Sequence, residues 1–431
     1  MDDKTLRFSS LDHMKDVQVY FIQVWISIKP TISLQRRVSR NNHCKRYLPY
    51  KMIAVQPQPK KTPVAEYLQT SQDTPTSLTR YLLEVAKQNK DMGDMVALIN
   101  GIQFACKKIA SLVGKAGVTD LMGIYQQGIV NVHGEEQKKL DVLSNEVLKN
   151  ALKYSGKMAV IASEEEDVPI MVEESYSGNY VVVFDPLDGS SNLDAGLPTG
   201  TIFGVFQQQF SCLIHDYEES IDNMELACLQ NTLQPGRRLI AAGYCIYSSS
   251  TMLVLSLGNG LHCFTLDTEV GEFVLTRANI QIPQRGNIYS FNESNFYQWD
   301  KGVQDYIERL KKGNNQTNCR YSARYVGSMV ADVHRTILYG GIFGYPADKK
   351  NVSGKLRLVY ECAPMAYLVE QAGGKATTGI ENILDLTPKD IHERKPLILG
   401  SPADIEEFLQ VYGMSRVDRE DMHMWDNLSS L

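Results

Sequence analysis

Apolar residues recur at helical spacing in the first third of the folded part of the chain. One such segment covers residues 78–88, and Ser77 can cap its first turn. A second covers residues 95–113 before Gly114, and a third covers residues 138–153. These segments predict three amphipathic helices, each of which buries one apolar stripe.

Farther along the chain the pattern changes to short apolar runs, which favour buried strands. Residues 158–162 and 180–184 are such runs, and acidic residues follow each of them. Further strands are predicted at 201–206, 252–257 and 261–266, and helices at 329–338 and 363–372. The last two strands flank Gly258-Asn259-Gly260, which is typical of a hairpin. This order predicts an α/β (α+β layered) fold in which helix and sheet layers alternate.

The same patterns divide the chain into four segments. Residues 1–74 are predicted to be a disordered leader, because residues 17–65 contain no Asp or Glu but many Lys and Arg. Such a composition fits a transit segment, and the alternative is an untargeted disordered tail. Two domains follow, at 75–280 with an inserted loop at 207–232, and at 281–413. Residues 414–431 form a tail.

Composition narrows the function classes. The chain has 431 residues, of which 43% are hydrophobic, enough for two domains of ordinary size. A net charge of -6 argues against a general nucleic-acid binder. No run reaches the ~18–20 uninterrupted apolar residues of a membrane helix. The eight cysteines include no C-x-x-C pair, so a structural zinc site is not expected.

Two acidic clusters follow the strands at 158–162 and 180–184. The first contains Glu164 and Glu165, and the second is Asp185-Pro186-Leu187-Asp188. If the two strands are neighbours, Glu164, Asp185 and Asp188 converge. Such carboxylates repel one another unless cations neutralise them, and hard oxygen ligands suit Mg²⁺ or Mn²⁺. Pro186 also leaves the carbonyl of Leu187 available as a ligand.

A short polar segment, Gly189-Ser190-Ser191-Asn192, follows the second cluster. A Gly-Ser-Ser turn that opens a helix offers backbone N–H groups and hydroxyls to an anion. A metal cluster beside an anion cradle is the equipment for phosphoryl transfer to water. The alternative is an Asx-rich turn with solvated acids.

Several segments of the chain resemble those of a known family. Residues 184–194 resemble the metal motif of the inositol monophosphatase and fructose-bisphosphatase superfamily. Together with residues 139–145, 324–335 and 354–365, they are similar to the fructose-1,6-bisphosphatase family in particular. The resemblance covers residues 75–412 in one order. It implies a sugar-phosphatase fold with an N-terminal metal-binding domain and a C-terminal sugar-phosphate-binding domain.

The resemblance also implies roles for individual residues and two to three Mg²⁺ or Mn²⁺ ions. The implied metal ligands are Glu164, Asp185, Asp188, Glu361, the carbonyl of Leu187, and Glu135, which stands where the family often has an Asp. Asp141 and Glu165 would handle the proton of the attacking water. The implied substrate-binding residues are Asp188, Gly189, Ser190, Ser191, Asn292, Arg324, Tyr325, Tyr345, Lys355 and Arg357.

The activity implied is hydrolysis of fructose 1,6-bisphosphate to fructose 6-phosphate and phosphate. The family donates the counterpart of Arg324 across a subunit interface, which implies at least a homodimer and usually a homotetramer. A sedoheptulose-1,7-bisphosphatase and an inositol-phosphate phosphatase are the alternatives among enzymes. A metabolite-binding regulator without catalysis is the alternative outside them.

The loop at 207–232 contains Cys212 and Cys228 with five acidic residues between them. Its placement resembles the redox loop of plastid fructose-bisphosphatases, which would make thioredoxin a partner. The regulated plastid form has a cysteine where this chain has Leu233. The two cysteines therefore form either a redox pair or two unrelated thiols. The leader and this loop favour the chloroplast stroma, with the cytoplasm as the alternative.

Overall fold

A computed structural model describes residues 75–89, 92–119, 121, 123, 138–172, 178–209 and 221–429, with the side chains of 221–225 and 416–429 left out. The predicted leader, Glu135 and Cys212 lie outside the described residues. Three N-terminal helices have the predicted positions: α1 (Leu78–Gln88), α2 (Gly93–Val113) and α3 (Lys139–Lys153). Ser77 caps α1 as expected, because its hydroxyl accepts a hydrogen bond from the Arg80 backbone N–H at 3.2 Å.

Helix α2 is long and apolar enough, by length and composition, to cross a membrane. Its residues Met95, Leu98, Ile102 and Ile109 are instead fully or almost fully buried against the neighbouring helices and the first sheet. This is the packing of a core helix.

Eight strands form the first sheet in the order β2-β1-β3-β4-β5-β6-β7-β8. The strands are β1 (Met158–Ser163), β2 (Ile170–Met171), β3 (Tyr180–Asp188), β4 (Thr199–Gln207), β5 (Leu239–Tyr247), β6 (Met252–Ser256), β7 (His262–Asp267) and β8 (Glu272–Arg277). Strands β1 and β3 are parallel neighbours, and the other pairs are antiparallel. Because these two strands are parallel neighbours, the two acidic clusters lie at the same edge of the sheet, as their predicted convergence requires.

Alternation along the strands divides this sheet between two cores. Val182 and Phe184 pack with α1, α2 and α3, whereas Val181 and Val183 face the opposite core. That second core contains apolar residues of α6 (Met329–Tyr339) and α7 (Ala363–Gln371). Both faces of the strands are covered, which explains why their sequences are continuously apolar.

A second sheet has the order β10-β9-β11-β15-β13 and packs on the other side of α6 and α7. Its strands are β9 (Ile288–Phe291), β10 (Ser322–Ala323), β11 (Ile342–Tyr345), β13 (Lys375–Thr377) and β15 (Leu397–Gly400). Its outer face packs on α5 (Lys301–Lys312) and the start of α8 (Pro402–Ser429). The remaining elements are α4 (Ile221–Thr232) and the two-stranded pair of β12 (Leu356–Arg357) with β14 (Arg394–Lys395). The layers thus alternate between helix and sheet.

Two buried histidines make the stability of the fold depend on pH. His262 Nδ1 accepts a hydrogen bond from the Asn279 backbone N–H at 3.2 Å, and His334 Nδ1 lies 2.8 Å from the Tyr244 hydroxyl. Burial lowers the pKa of each histidine from 6.5 to about 4. Because these pKa values are depressed in the folded state, the stabilisation is complete above pH 6.5 and is lost as the pH falls towards 4.

We expect each histidine to contribute about 3 kcal/mol to the pH dependence of the unfolding free energy across this window. Urea titrations at a series of pH values should show a shallower dependence for His262→Gln and His334→Gln than for the wild type. An unchanged dependence in both variants would contradict the assignment of neutral, buried imidazoles.

Candidate functional site

A cavity of about 550 Å³ opens at the edge of the first sheet where β1 and β3 end. It is lined by most of the residues singled out from the sequence: Asp141, Glu164, Glu165, Asp185, Leu187, Asp188, Gly189, Ser190, Ser191, Asn292, Tyr325, Tyr345, Lys355, Arg357 and Glu361. These residues come from both halves of the chain. The fold therefore brings the predicted metal-binding and substrate-binding residues to one place.

Arg324 is the described residue of the predicted set that does not line this cavity. Its side chain is exposed, and one of its N–H groups donates to the Ala323 carbonyl at 2.8 Å. An exposed position is compatible with the expectation that this arginine serves a neighbouring subunit.

The second acidic cluster lies inside a strand and not after one. The sequence predicts that β3 ends at Phe184, but the strand continues to Asp188 through a β-bulge. Asp185 pairs with Ile202 and Asp188 pairs with Gly200, so three steps on β3 oppose two steps on β4. Residues three apart in a regular strand point to opposite faces; the extra residue puts Asp185 and Asp188 on the same face.

Asp188 is held by the amino end of α6. Its carboxylate accepts hydrogen bonds from the Ser328 hydroxyl at 2.7 Å and from the backbone N–H groups of Val330 at 3.0 Å and Met329 at 3.3 Å. The positive end of the helix dipole stabilises negative charge there. Gly189 makes this approach feasible, because a Cβ at its φ of 72° would lie 2.8 Å from the Ser328 Cβ. Gly200, opposite Asp188, similarly leaves room for Val330.

Three carboxylates meet in the cavity. Asp185, Asp188 and Glu361 are buried, and each offers one oxygen within 4.8 Å of the others. Glu361 comes from a π-helical turn, Leu358–Cys362, directly before α7. Burial raises the pKa of Asp185 well above its usual value, with Glu164 and Asp188 adding to the rise, and burial also raises the pKa of Glu361 to about 7. Hard oxygen donors whose charges repel one another fit a divalent cation of the Mg²⁺ or Mn²⁺ type.

Glu164 lies beside this group and is paired with Arg357. The Arg357 guanidinium forms a buried salt bridge with the Glu164 carboxylate, and the Arg357 backbone N–H donates to Glu361 at 2.6 Å. Burial and the nearby Glu361 raise the pKa of Glu164 to about 8, while Arg357 opposes the rise. One arginine therefore contacts two of the predicted metal ligands. No local sequence pattern indicates this contact.

Asp141 and Glu165 line the same cavity. Asp141 lies in the first turn of α3 and accepts a hydrogen bond from the Lys138 backbone N–H at 2.9 Å. Burial, followed by the charge of Glu165, raises the pKa of Asp141 to about 7, and a hydrogen bond from Ser190 opposes the rise.

Glu166, the next acidic residue along the chain, does not line the cavity. Its carboxylate accepts hydrogen bonds from the side chains of Asn145 and Lys149.

Basic and aromatic residues also line the cavity. Lys355 Nζ lies 5.9 Å from the centre of the Tyr345 ring, and Asn292 and Tyr325 are further lining residues. Lysine and tyrosine hydroxyl donors of this kind bind phosphate oxygens. The cavity thus joins a cluster of carboxylates to a set of anion-binding groups.

Comparison with known proteins agrees with this arrangement. Two family models match the chain: fructose-1-6-bisphosphatase, N-terminal domain, over residues 76–278, and fructose-1-6-bisphosphatase, C-terminal domain, over residues 282–413. Fructose-1,6-bisphosphatase 1, chloroplastic, of Arabidopsis thaliana is 54% identical over 333 residues, which are 77% of this chain and 79% of that protein. The chain belongs to the fructose-1,6-bisphosphatase family.

Other members of the fructose-1,6-bisphosphatase family give the same result. The chloroplastic enzyme of Spinacia oleracea is 53% identical over 335 residues, which are 77% of this chain and 80% of that protein. The crystal structure of Leishmania major fructose-1,6-bisphosphatase in holo form is 41% identical with a TM-score of 0.72, and the match covers 78% of this chain and 99% of that one. These matches confirm the predicted family, the layered fold and the class of enzyme, a phosphatase.

Two further residues anchor the site in this chain. Ser328 and Asp332 were missed from the sequence, although Ser328 precedes an apolar helical segment in the position of an N-cap. Asp332 is fully buried and accepts hydrogen bonds from the backbone N–H groups of Val326 and Gly327. Ser328 and Asp332 therefore hold in place the loop before α6, and this loop contains Arg324 and Tyr325.

Proposed function

We propose that this protein hydrolyses the 1-phosphate of fructose 1,6-bisphosphate and releases fructose 6-phosphate and phosphate. The observation that carries the proposal is the meeting of three buried carboxylates within 4.8 Å in a cavity that also contains Lys355 and Tyr345. A bisphosphate brings about four negative charges, so its binding needs both cations and basic side chains. Membership of the fructose-1,6-bisphosphatase family supports the choice of substrate.

Asp185, Asp188 and Glu361 would hold the divalent ions, together with Glu164 and the carbonyl of Leu187. Two to three Mg²⁺ ions, or Mn²⁺ in their place, are proposed, and Glu135 would add a ligand from outside the described residues. Bound ions of this kind neutralise phosphate charge and lower the pKa of a water molecule. The chain supplies the frame for these ligands, since the bulge and the start of α6 hold Asp185 and Asp188 in place.

Proton handling falls to Asp141 and Glu165. A carboxyl whose pKa is about 7, as for Asp141, can accept a proton from water at neutral pH and release it again. Glu165 lies close enough for its charge to raise the pKa of Asp141. The Ser190 hydroxyl orients the Asp141 carboxylate by a hydrogen bond.

Substrate binding is divided between the two halves of the chain. Gly189, Ser190 and Ser191 open a short 3₁₀ helix (Ser190–Ala195) beside the carboxylates and would hold the reacting phosphate. Asn292, Tyr325, Tyr345 and Lys355, with Arg357 behind them, would hold the sugar and the second phosphate. Arg324 would reach the site of a neighbouring subunit. The proposal therefore includes an oligomer, at least a homodimer and usually a homotetramer.

Phosphate release by the purified protein tests this function. With Mg²⁺, fructose 1,6-bisphosphate should be hydrolysed faster than sedoheptulose 1,7-bisphosphate or inositol monophosphate, and chelation of the metal should stop the reaction. Faster turnover of either alternative substrate would reassign the substrate. Equal turnover with and without metal would overturn the proposed role of the carboxylates.

The relatives reported above from plants are named chloroplastic, which supports the chloroplast location predicted from the sequence. We further propose that Cys212 and Cys228 form a regulatory disulfide that thioredoxin reduces. Cys228 is buried within α4, and Cys212 lies outside the described residues. The acidic segment between them would close a loop at modest entropic cost.

We expect oxidation to lower the activity of the wild-type protein and a dithiol reductant to restore it, with no such difference in Cys212→Ser. Cys319→Ser serves as the matched control, because Cys319 lies far along the chain in the C-terminal half. Identical activity of the oxidised and reduced wild-type protein would remove the disulfide from the account.

A further inference from the structure

The β-bulge that aligns Asp185 and Asp188 places a buried carbonyl, that of Pro186, beside a threonine of the neighbouring strand. Asp185 pairs with Ile202 and Asp188 with Gly200, so Pro186 and Leu187 lie between the two registered pairs and oppose Thr201. The Thr201 hydroxyl donates to the Pro186 carbonyl at 2.8 Å. Thr201 is fully buried, so water does not replace this hydrogen bond. A side chain on β4 thus supplies a hydrogen bond to the backbone of the bulge.

Tyr247 lies behind Thr201. Its hydroxyl is 2.8 Å from Thr201 Oγ1 and is almost completely buried at the end of β5. A threonine hydroxyl has one proton, and Thr201 gives it to Pro186, so Tyr247 must be the donor in this contact. Burial raises the pKa of Tyr247, which keeps the phenol protonated and able to donate. The result is a directed chain of hydrogen bonds from Tyr247 through Thr201 to the Pro186 carbonyl.

We propose that Thr201 and Tyr247 are positioning residues that hold the bulge in the register at which Asp185 and Asp188 share one face. Neither residue lines the cavity, so both act through the backbone of residues 185–188. The inference rests on the proposed role of these two aspartates as metal ligands. It adds that their convergence depends on a hydroxyl from the neighbouring strand.

A specific loss of metal affinity follows from this role. Without the Thr201 hydroxyl, the buried Pro186 carbonyl loses this hydrogen bond, which favours a shift of the bulge. The two carboxylates then no longer converge on one point. Lys355 and Tyr345 lie outside β3 and β4. Loss of the bulge should therefore weaken metal binding more than it weakens substrate binding at saturating metal.

The test is direct binding of Mn²⁺ to the full-length protein, measured by electron paramagnetic resonance of the free ion. Thr201→Val, which keeps the shape but removes the hydroxyl, should weaken Mn²⁺ binding by about 10- to 100-fold. Thr201→Ser should bind as the wild type does, and Tyr247→Phe should show a smaller loss. Because Tyr247 acts through Thr201, adding Tyr247→Phe to Thr201→Val should cause no further loss.

Thr377→Val is the matched control. Thr377 is also a buried strand threonine whose hydroxyl donates to a carbonyl, that of Glu381 at 2.9 Å, but it lies outside the cavity. It should destabilise the fold without changing Mn²⁺ affinity. Wild-type affinity in Thr201→Val, or an equal loss in Thr377→Val, would overturn the inference.

The Tyr247→Phe variant and the wild-type protein give two further tests. If Thr201→Val does not fold, a wild-type Mn²⁺ affinity in Tyr247→Phe overturns the inference on its own. If the wild-type protein binds no Mn²⁺, the proposed function fails. If the wild-type protein binds Mn²⁺ and Thr201→Val binds it equally well, only the inference about Thr201 fails.

Discussion

Asp188→Asn should lower kcat/KM for fructose 1,6-bisphosphate by on the order of 10³-fold or more. The substitution keeps the size of the side chain but removes one negative charge from the three-carboxylate cluster of Asp185, Asp188 and Glu361. It also replaces an acceptor oxygen by an NH₂ group where Ser328, Met329 and Val330 direct their donors. Both the binding of cations and the fixed position of the residue would therefore be lost. Phosphate release under saturating Mg²⁺ measures the effect.

Asp404→Asn is the control for a merely structural effect. Asp404 is also a fully buried carboxylate in the first turn of a helix, and it accepts hydrogen bonds from the Gly286 backbone and the Tyr321 hydroxyl. It lies outside the cavity lining. Asp404→Asn should lose stability but keep Mg²⁺-dependent turnover in its folded fraction. Near-normal turnover of Asp188→Asn would show that the carboxylate cluster is not the reacting site.

Arg357→Met should destabilise the metal-free protein by about 3–5 kcal/mol at a pH above the Glu164 pKa of about 8, where that carboxylate is ionised. The guanidinium forms a buried salt bridge with Glu164, and the side chains of both residues are largely shielded from water. Its removal leaves the Glu164 carboxylate close to Glu361 without the positive charge that opposes their repulsion. Such an uncompensated buried charge costs far more than an exposed ion pair contributes. Chemical denaturation with and without Mg²⁺ measures the loss.

Addition of Mg²⁺ should recover part of the stability of Arg357→Met, because a bound cation supplies positive charge beside the same carboxylates. Arg285→Met removes a comparable arginine from Asp404 and Glu407, whose carboxylates are buried away from the cavity. Its loss of stability should be the same with and without Mg²⁺. Equal responses of the two variants to Mg²⁺ would place the cation elsewhere.

Much of the frame of the site is predictable from local pattern. The apolar runs at 158–162 and 180–184 lie within β1 and β3, and the pairing of those strands brings Glu164 and Asp185 together as expected. The cap at Ser77 and the hairpin between β6 and β7 are also local, and both are confirmed. Patterns of this kind succeed because a strand or cap is decided by residues that are neighbours in sequence.

The parts that were missed depend on residues that are far apart in sequence. Pro186 is compatible with a bulge, but the register of the bulge is set by the pairing of Asp185 with Ile202 and of Asp188 with Gly200 on β4. The salt bridge between Arg357 and Glu164 likewise joins the two halves of the chain. Helix α5 was also missed, although the Asp300 cap and the apolar stripe are local features that predict a helix.

The position of the bound cation decides whether the three carboxylates hold metal. Crystals grown with Mn²⁺, measured at the manganese absorption edge, should show anomalous peaks within coordination distance of Asp185, Asp188 and Glu361. Peaks absent from these carboxylates in crystals whose protein is active with Mn²⁺, or peaks only at other residues, would contradict the account.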